Sequence, residues 1–293
     1  MSGPGRLADI EKIIHKIEEV LEKKNNNFSN LEIKNHIDSL INSPLETLDE
    51  AIEKDRFNAE LEFTEMKQKK QFNELSSYYH GKKVLITAGP TVEKIDAVRY
   101  ISNFSSGKMG FALAEKVKEF GAKVTLVTGP VNLTSSERII RINITSADAM
   151  FDAVSNHFVE NDIIIMAAAV SDFKPVNQYA NKIKKEALGS NLNIELEKNK
   201  DILFEMGQRK KKGQCLVGFA LESDNEVENA TNKLSRKNAD MIVLNSLKVE
   251  DSTFGADNNQ ITIINKNGEV KYYEKMRKDF VAISILEYIA QNF

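Results

Sequence analysis

The sequence predicts an α/β protein: a doubly wound, mostly parallel sheet with a C-terminal β-hairpin extension, preceded by an all-α N-terminal segment. Two observations predict this class. From residue 82 onward, short and uniformly apolar runs alternate with helical stretches, whereas the first 80 residues show helical periodicity alone. Uniformly apolar runs are typical of strands that helices cover on both faces. We therefore expect a helical segment at 1–80 and a nucleotide-binding α/β domain at 81–293.

The N-terminal segment is predicted to contain three helices. Apolar residues recur at three- and four-residue spacing over 7–21 and again over 31–41. Pro44 suits the first turn of a third helix, which we extend to about residue 75. Because no chemical motif stands there, we interpret the segment as a helical bundle or an oligomerisation or partner module.

The second region is predicted to alternate strands and helices in a Rossmann-like order. Strands are expected at 84–86, 123–129, 162–169, 215–220 and 241–244, and helices at 111–120, 148–159 and 225–237. A hairpin follows at 260–273 with its turn at Asn267-Gly268, and a last helix at 275–291. Ligands of such sheets bind outside the carboxyl ends of the strands.

Composition excludes several classes of protein. The sequence is 41% hydrophobic and 28% charged, and it has no apolar run of the roughly 18 residues that a membrane span needs. Cys215 is the single cysteine, which excludes an intrachain disulfide and a cysteine-based zinc site. No secretory signal pattern opens the chain. We expect a cytoplasmic protein with no membrane or nucleic-acid partner.

The charge is unevenly distributed. Residues 1–80 have 11 Lys and Arg against 16 Asp and Glu, a net −5, so the rest of the chain carries +2 of the total of −3. An anionic substrate is therefore better served by residues 81–293, while the overall negative charge argues against nucleic-acid binding.

A candidate anion site lies at a helix start rather than directly after the first strand. Gly89-Pro90-Thr91 stands where a dinucleotide fold would have G-x-G-x-x-G. The helix begins later, after Ser105-Ser106-Gly107-Lys108-Met109-Gly110, where free backbone N–H groups and the helix dipole favour negative charge. The alternative, an ordinary helix cap, is equally consistent with these residues.

Further charged residues follow the later strands. Ala167-Ala168-Ala169-Val170-Ser171-Asp172 would let a ligand approach the backbone, with an aspartate for Mg²⁺. Lys182 begins a lysine-rich run, and Lys233 and Lys237 share one helix face. Singly these are also typical of a strand end or a solvated surface, but together they suit a nucleoside triphosphate with Mg²⁺.

The order of several motifs resembles one family. The motifs are Ile86-Thr-Ala-Gly-Pro-Thr91, Val98-Arg-Tyr-Ile-Ser-Asn-Phe-Ser-Ser-Gly-Lys-Met-Gly110, Ala167 to Asp172, Lys182-Ile-Lys-Lys185, Asn199-Lys-Asp-Ile-Leu203, Val217-Gly-Phe-Ala-Leu-Glu222, Lys237-Asn-Ala-Asp240, Val243-Leu-Asn245 and Phe254-Gly-Ala-Asp-Asn-Asn259. They closely resemble phosphopantothenate–cysteine ligase, also called phosphopantothenoylcysteine synthetase, over residues 82 to about 290. In many bacteria this family forms the C-terminal half of a bifunctional coenzyme A biosynthesis protein.

The resemblance implies a two-step reaction and a set of site residues. Phosphopantothenate and a nucleoside triphosphate would give an acyl-nucleotide, which L-cysteine then converts to an amide; the Lys-Ile-Lys-Lys form favours CTP over ATP, with Mg²⁺. Lys182 and Asn103 match the family's catalytic positions. Asp172 matches the position that would bind the metal ion. Nucleotide positions are Met166, Ala167, Ala168, Asp172, Lys182, Lys200, Asp201, Ile202, Leu203, Phe219, Lys233 and Lys237. Substrate positions are Arg99, Asn103, Ser106, Gly107, Lys108 and Ala169.

The resemblance also has limits. Lys200 replaces a frequent proline, Phe104 a frequent histidine, and residues 1–80 do not resemble the decarboxylase that often precedes this domain. The family implies a homodimer or higher homo-oligomer whose sites are completed across the interface. Two alternatives stay open: a nicotinamide-dependent Rossmann oxidoreductase, disfavoured by the missing glycine fingerprint and the missing Tyr-x-x-x-Lys, and a scaffold with a degenerate ligase domain.

Overall fold

The computed structural model describes residues 45–184, 191–246 and 255–293. The chain divides into two compact units, Met1–Gln71 and Phe72–Phe293. Helix α1 (Leu45–Tyr79) confirms the helix expected after Pro44. The two earlier predicted helices lie outside the described residues, and the domain boundary at residue 80 stays a prediction.

The second unit alternates strands and helices, as expected. Its strands are β1 (Lys83–Ala88), β2 (Val92–Lys94), β3 (Tyr100–Ser102), β4 (Lys123–Thr128), β5 (Ile140–Asn143), β6 (Ile163–Met166), β7 (Phe173–Pro175), β8 (Leu196–Lys198), β9 (Cys215–Glu222), β10 (Met241–Ser246), β11 (Asn258–Asn259), β12 (Ile261–Asn265), β13 (Val270–Tyr272) and β14 (Met276–Arg277). Its helices are α2 (Lys108–Glu119), α3 (Ala147–Phe158), α4 (Ile202–Arg209), α5 (Glu226–Arg236) and α6 (Lys278–Asn292).

The central sheet has the order β13-β12-β10-β9-β6-β1-β4-β5. The six strands from β10 to β5 are parallel, and β12 and β13 add an antiparallel hairpin at one edge. The chain runs from β1 outward to β4 and β5, then returns to β6 on the other side of β1. The predicted α/β class, with its C-terminal hairpin, is confirmed. The order reverses between β1 and β6, which is where such sheets bind ligands.

Helices cover the sheet on both faces. Val84 and Ile86 of β1 join a core cluster with α2 and α6, whereas Leu85 joins another with α3 and α4. Successive strand residues point to opposite faces, so an apolar run without alternation needs this double cover. The end of α1 adds to the first cluster: Leu75 is buried, and the Tyr79 hydroxyl donates to the Leu286 carbonyl at 2.7 Å.

Some predicted bounds were wrong. The strand expected over 162–169 ends at Met166, and Ala167, Ala168 and Ala169 leave the main sheet to follow the loop after β1. Short elements were missed altogether: the hairpins β2–β3 and β7–β8, the edge strand β5 and the eight-residue helix α4. None of the helices in the described ranges combines the length and the apolar character that a membrane span requires.

Candidate functional site at the carboxyl ends of the strands

The loops that follow β1 and β6 are bound to each other at the reversal point. The Ala169 amide donates to the Gly89 carbonyl at 2.9 Å, and the Ala168 amide donates to the Thr87 hydroxyl at 3.1 Å. The Ser171 amide donates to the buried Thr91 hydroxyl at 3.0 Å. Small side chains allow these two backbones to approach closely, and the same property would admit a ligand beside them. The predicted alanine segment therefore lies at the expected edge.

Helix α2 begins at this edge with no side-chain cap among the described residues. Its N-cap is Gly107, which has the left-handed φ of 75°, and the Gly107 amide donates to the Ser105 hydroxyl at 3.3 Å. The first-turn amides of a helix have no partner within the helix and attract anions. The Ser105-to-Gly110 motif thus presents an uncapped helix start, rather than the side-chain cap that was its alternative.

Glycines hold this helix start against the end of β1. A Cβ on Gly107 would lie 3.4 Å from the Gly89 Cα, and one on Gly110 would lie 2.6 Å from the Ala88 Cβ. In a dinucleotide fingerprint, glycines likewise serve a tight turn and close packing of helix on strand. The geometry of that fingerprint is therefore partly reproduced here, although the β2–β3 hairpin separates Gly89 from Gly107 in sequence.

Two lysines, one in the last turn of α5 and one at its C-cap, lie near Asp172. The Lys233 ammonium donates to the Phe219 carbonyl at 2.9 Å, and Lys237 is buried and forms an ion pair with Asp201. Burial lowers the pKa of both lysines, and the negative charge of Asp172 opposes that shift in each. Asp172 is thus within electrostatic reach of Lys233 and Lys237, which follow it by 61 and 65 positions in the sequence.

The Asn199-to-Leu203 motif starts helix α4. Asp201 is its N-cap and accepts a hydrogen bond from the Phe204 amide at 3.1 Å. Ile202 is buried, and Leu203 packs against two of the core clusters. Lys200, which departs from the family pattern, places its ammonium 4.4 Å from the ring centre of Phe151. This cation–π contact stabilises the turn in a way that does not require proline.

Asn103 reaches toward the same edge from the β2–β3 hairpin. Its amide nitrogen donates to the Val170 carbonyl at 3.0 Å, two residues before Asp172. A side-chain amide has two N–H groups, so one more donor is available for a ligand oxygen. Asp172 itself is exposed and follows the buried Ser171.

Lys108 lies at the start of α2, but its side chain is engaged elsewhere. Its ammonium donates to Asp257 at 2.6 Å and to the Gly255 carbonyl at 2.9 Å. The hydrogen bond from Lys108 lowers the pKa of Asp257. We therefore expect the backbone amides at the start of α2 to bind the substrate anion, because the Lys108 ammonium already has other partners.

Asp96, a buried carboxylate in the turn between β2 and β3, was not among the residues expected from the sequence. Desolvation raises its pKa, but hydrogen bonds from the Val98, Arg99 and Ile183 amides, with the Arg99 charge, outweigh desolvation and lower it to about 2. Arg99 is thereby held beside the segment that carries Lys182. Lys182 is exposed. No local motif reveals Asp96, because one of its partners lies 87 residues away.

The side chains near Asp172 determine whether a magnesium ion could bind there. The described residues contain no group of three or more His, Cys, Asp or Glu side chains that could hold a metal. Mg²⁺ commonly uses one or two carboxylates together with substrate phosphates and waters. An exposed Asp172 near two lysines fits an ion that arrives with a nucleotide, and does not fit a resident metal centre.

Cys215 is not a candidate nucleophile. It is buried at the start of β9, and burial, with a smaller contribution from Asp240, raises its pKa to about 12. A thiol with so high a pKa stays protonated at neutral pH and is inert.

The matched family model is the DNA/pantothenate metabolism flavoprotein C-terminal domain, over residues 79–293. A relative named Cysteine/Cysteine sulfinic acid decarboxylase, from an unknown prokaryotic organism, is 50% identical over 211 residues, which cover 72% of this chain and 58% of the relative. The Coenzyme A biosynthesis bifunctional protein CoaBC of Bacillus subtilis is 44% identical over 218 residues, covering 74% and 53%. The chain thus spans little more than half the length of these relatives.

Solved structures agree with this family. The crystal structure of the C-terminal domain of Coenzyme A biosynthesis bifunctional protein CoaBC is 41% identical, with a TM-score of 0.62, and the match covers 73% of this chain and 96% of that one. A Cab2 mutant in complex with phosphopantothenate-cysteine is 17% identical, with a TM-score of 0.59 and coverage of 78% and 94%, and so shows the fold alone. The resemblance found in the sequence motifs is confirmed: the chain belongs to the DNA/pantothenate metabolism flavoprotein C-terminal domain family, the family of the phosphopantothenoylcysteine synthetase domain.

Proposed function

We propose that this chain is a ligase that joins phosphopantothenate to L-cysteine through an acyl-nucleotide, a step of coenzyme A biosynthesis. The proposal rests on one observation: Asn103 binds the Val170 carbonyl close to Asp172, and Asp172 is in turn within electrostatic reach of Lys233 and Lys237. Asn103, Asp172 and Lys237 come from three separate motifs, Lys233 lies one helical turn before Lys237, and the resemblance assigns all four to one site. Family membership and the 41% identity to the CoaBC C-terminal domain support the same function.

In the first step, a phosphopantothenate carboxylate oxygen attacks the α-phosphorus of the nucleotide, and the bond to the pyrophosphate oxygen breaks. Negative charge builds on the α-phosphate oxygens and on the leaving pyrophosphate. Lys182 supplies a positive charge there, and Lys233 and Lys237 hold the remaining phosphates. Arg99 and the uncapped start of α2, including Ser106, Gly107 and Lys108, bind the phosphate of phosphopantothenate.

In the second step, the cysteine amine attacks the acyl carbon, and the nucleoside monophosphate leaves with the electrons of the acyl–oxygen bond. The free N–H of Asn103 donates to the acyl oxygen as charge develops on it. The backbones of Met166, Ala167, Ala168 and Ala169 line the edge where the acyl-nucleotide lies. Asp201, Ile202, Leu203 and Phe219 complete the nucleotide side, and Lys200 adds positive charge.

We propose CTP as the nucleotide, with ATP as the alternative, because the Lys182-to-Lys185 motif has the form that the bacterial members show. Asp172 is the proposed ligand of a Mg²⁺ ion that the nucleotide phosphates carry into the site. The ion would neutralise phosphate charge when bound.

We further propose a cytoplasmic homodimer or higher homo-oligomer, in which residues 1–80 act as an oligomerisation or partner module. Removing residues 1–71 tests this role better than removing 1–80, because Leu75 and Tyr79 are core residues of the α/β unit. Light scattering should show a smaller assembly for the shortened chain. An unchanged assembly would refute the oligomerisation role.

The direct test incubates the protein with phosphopantothenate, L-cysteine, Mg²⁺ and either CTP or ATP. We expect pyrophosphate release that depends on phosphopantothenate, and amide product only when cysteine is present, with CTP faster than ATP. Absence of any nucleoside monophosphate with all substrates present would overturn the ligase. Tight NAD(P)H binding would revive the oxidoreductase, and carbon dioxide release from cysteine would support the activity for which the 50% identical relative is named.

A further inference from the structure

We propose that Asp96 is a positioning residue that fixes Arg99 and residues 179–183, the Lys182 segment, in one arrangement, although it touches neither substrate. This inference rests on the proposed ligase function and deepens it. Asp96 is not among the catalytic and binding positions that the family resemblance implies.

The two carboxylate oxygens of Asp96 have separate partners. Oδ1 accepts hydrogen bonds from the Val98 and Arg99 amides, both at 2.7 Å, and so closes the turn of the β2–β3 hairpin. Oδ2 accepts from the Arg99 guanidinium at 2.5 Å and from the Ile183 amide at 3.2 Å. One oxygen therefore builds the turn locally, while the other joins the Arg99 side chain to a segment that is distant in sequence.

A second hydrogen bond holds the Lys182 segment against the β2–β3 turn. The Tyr179 amide donates to the Ile95 carbonyl at 3.0 Å, beside Asp96. Hydrogen bonds at Tyr179 and at Ile183 thus hold both sides of Lys182. The Lys182 side chain is exposed, so the position of its ammonium depends on how firmly its backbone is held.

The burial of Asp96 explains why it can act as a rigid anchor. Its side chain is fully buried, whereas that of Arg99 is 33% exposed. The guanidinium gives one nitrogen to Asp96 and keeps further N–H groups for a phosphate. A carboxylate with four donors around it stays ionised, so the arrangement persists over the neutral pH range.

The test compares Asp96→Asn with the intact chain. Asparagine keeps an acceptor oxygen for the turn, but it places an NH₂ group opposite the Ile183 amide and the Arg99 guanidinium, which are both donors. We expect the rate of nucleotide-dependent pyrophosphate release to fall about 10- to 100-fold, because small misplacements of a catalytic group have effects of this order. The KM for phosphopantothenate should rise, while the KM for CTP stays unchanged.

Asp240→Asn is a matched control. Asp240 is also buried, accepts a hydrogen bond from the Leu216 amide at 2.9 Å, and pairs with Lys210 and Lys266 at 2.9 Å each. It lies at the amino end of β10, opposite the proposed site. This variant should lose thermal stability while retaining both KM values and the rate per folded molecule.

Hydrogen exchange of the peptide that contains Ile183 gives a readout that needs no turnover. We expect Asp96→Asn, but not Asp240→Asn, to exchange faster there. Unchanged exchange, or faster exchange with normal kinetics, would overturn the positioning role, as would equal rises in the KM of every substrate. If the unsubstituted chain makes no nucleoside monophosphate, the proposed ligase function itself is overturned. This failure is distinguishable from failure of the positioning role, because it occurs without any substitution at Asp96.

Discussion

The two sides of the ligand edge hold their cations in different ways. On the side of β9 and α5, Lys237 is only 5% exposed and pairs with Asp201, and Lys233 is half-buried against the Phe219 carbonyl. On the side of the β2–β3 hairpin, the side chain of Lys182 is exposed, and only its backbone neighbours are held. The lysines of the first side are therefore ordered by folding, whereas we expect the Lys182 side chain to become ordered mainly when the proposed ligand binds.

In the proposed ligase, we expect this difference to separate residues that bind the nucleotide from a residue that acts in the chemical step. A buried lysine has already lost its side-chain freedom during folding, so binding a phosphate requires little further ordering. An exposed lysine can follow the charge as it moves during nucleotidyl transfer, provided that its backbone is fixed. Substitutions on the α5 side should therefore raise KM for the nucleotide, whereas substitutions on the hairpin side should lower kcat.

The largest expected effect is that of Lys182→Gln. Turnover should fall about 10²- to 10³-fold, the usual range for removing one group that stabilises transition-state charge. The melting temperature should stay within about one degree, since surface substitutions change stability little. Steady-state kinetics and calorimetry measure the two quantities. Lys184→Gln, two residues further along the exposed segment, is the control, and equal losses in both variants would contradict the assignment.

Lys233→Met tests the buried side. Because a hydrogen bond to a charged group contributes about 1.5–3 kcal/mol, the KM for CTP should rise roughly 10- to 100-fold while kcat changes less. Arg236→Gln, on the exposed part of the same helix, should leave KM nearly unchanged. A fall in kcat with a normal KM would place Lys233 in the chemical step and break the comparison.

Gly110→Ala tests the packing of α2 on β1. Its Cβ would lie 2.6 Å from the Ala88 Cβ and 3.0 Å from the Thr87 carbonyl oxygen, so backbone atoms must shift. We expect a loss of about 1–3 kcal/mol in the free energy of unfolding. Denaturant unfolding measures it. Gly81→Ala meets no atom within 4 Å and should show only the strain of its φ of 76°, about 1–2 kcal/mol.

The smallest expected effect is in the pH dependence of nucleotide affinity. Burial lowers the pKa of Lys233 and of Lys237, so each loses its proton at a lower pH than an exposed lysine. Above the lowered pKa the site carries less positive charge, and CTP should bind more weakly. Calorimetric titrations at increasing alkaline pH should show this weakening together with proton uptake on binding. Affinity that is constant up to the ordinary lysine pKa of about 10.4 would contradict it.

The central sheet was predictable because burial on both faces makes each strand uniformly apolar. β6 and the central parts of β1, β9 and β10 carry that pattern, whereas β4 also buries Thr125 and Thr128. The switch from helical to strand periodicity located the α/β unit. The sequence also led to Asp172, which follows β6, and to Lys233 and Lys237, whose four-residue spacing placed them on one face of a predicted helix.

The remaining features depend on contacts that no local pattern encodes. β2 and β3 are three residues each and lie outside the central sheet, so their periodicity is too short to recognise. Asp96 owes its role to a backbone amide 87 residues away. The ion pair between Asp201 and Lys237 likewise joins residues that belong to different helix ends. Such pairings follow from topology and become visible only in three dimensions.

The edges of the central sheet also limit how copies of this chain can associate. β13 has three residues, and β5, at the opposite edge, has four, with Lys271 and Arg141 among their side chains. Short, charged edge strands offer few unpaired backbone groups and resist strand-to-strand pairing. Extension of the central sheet from one molecule into the next through β5 or β13 is therefore disfavoured.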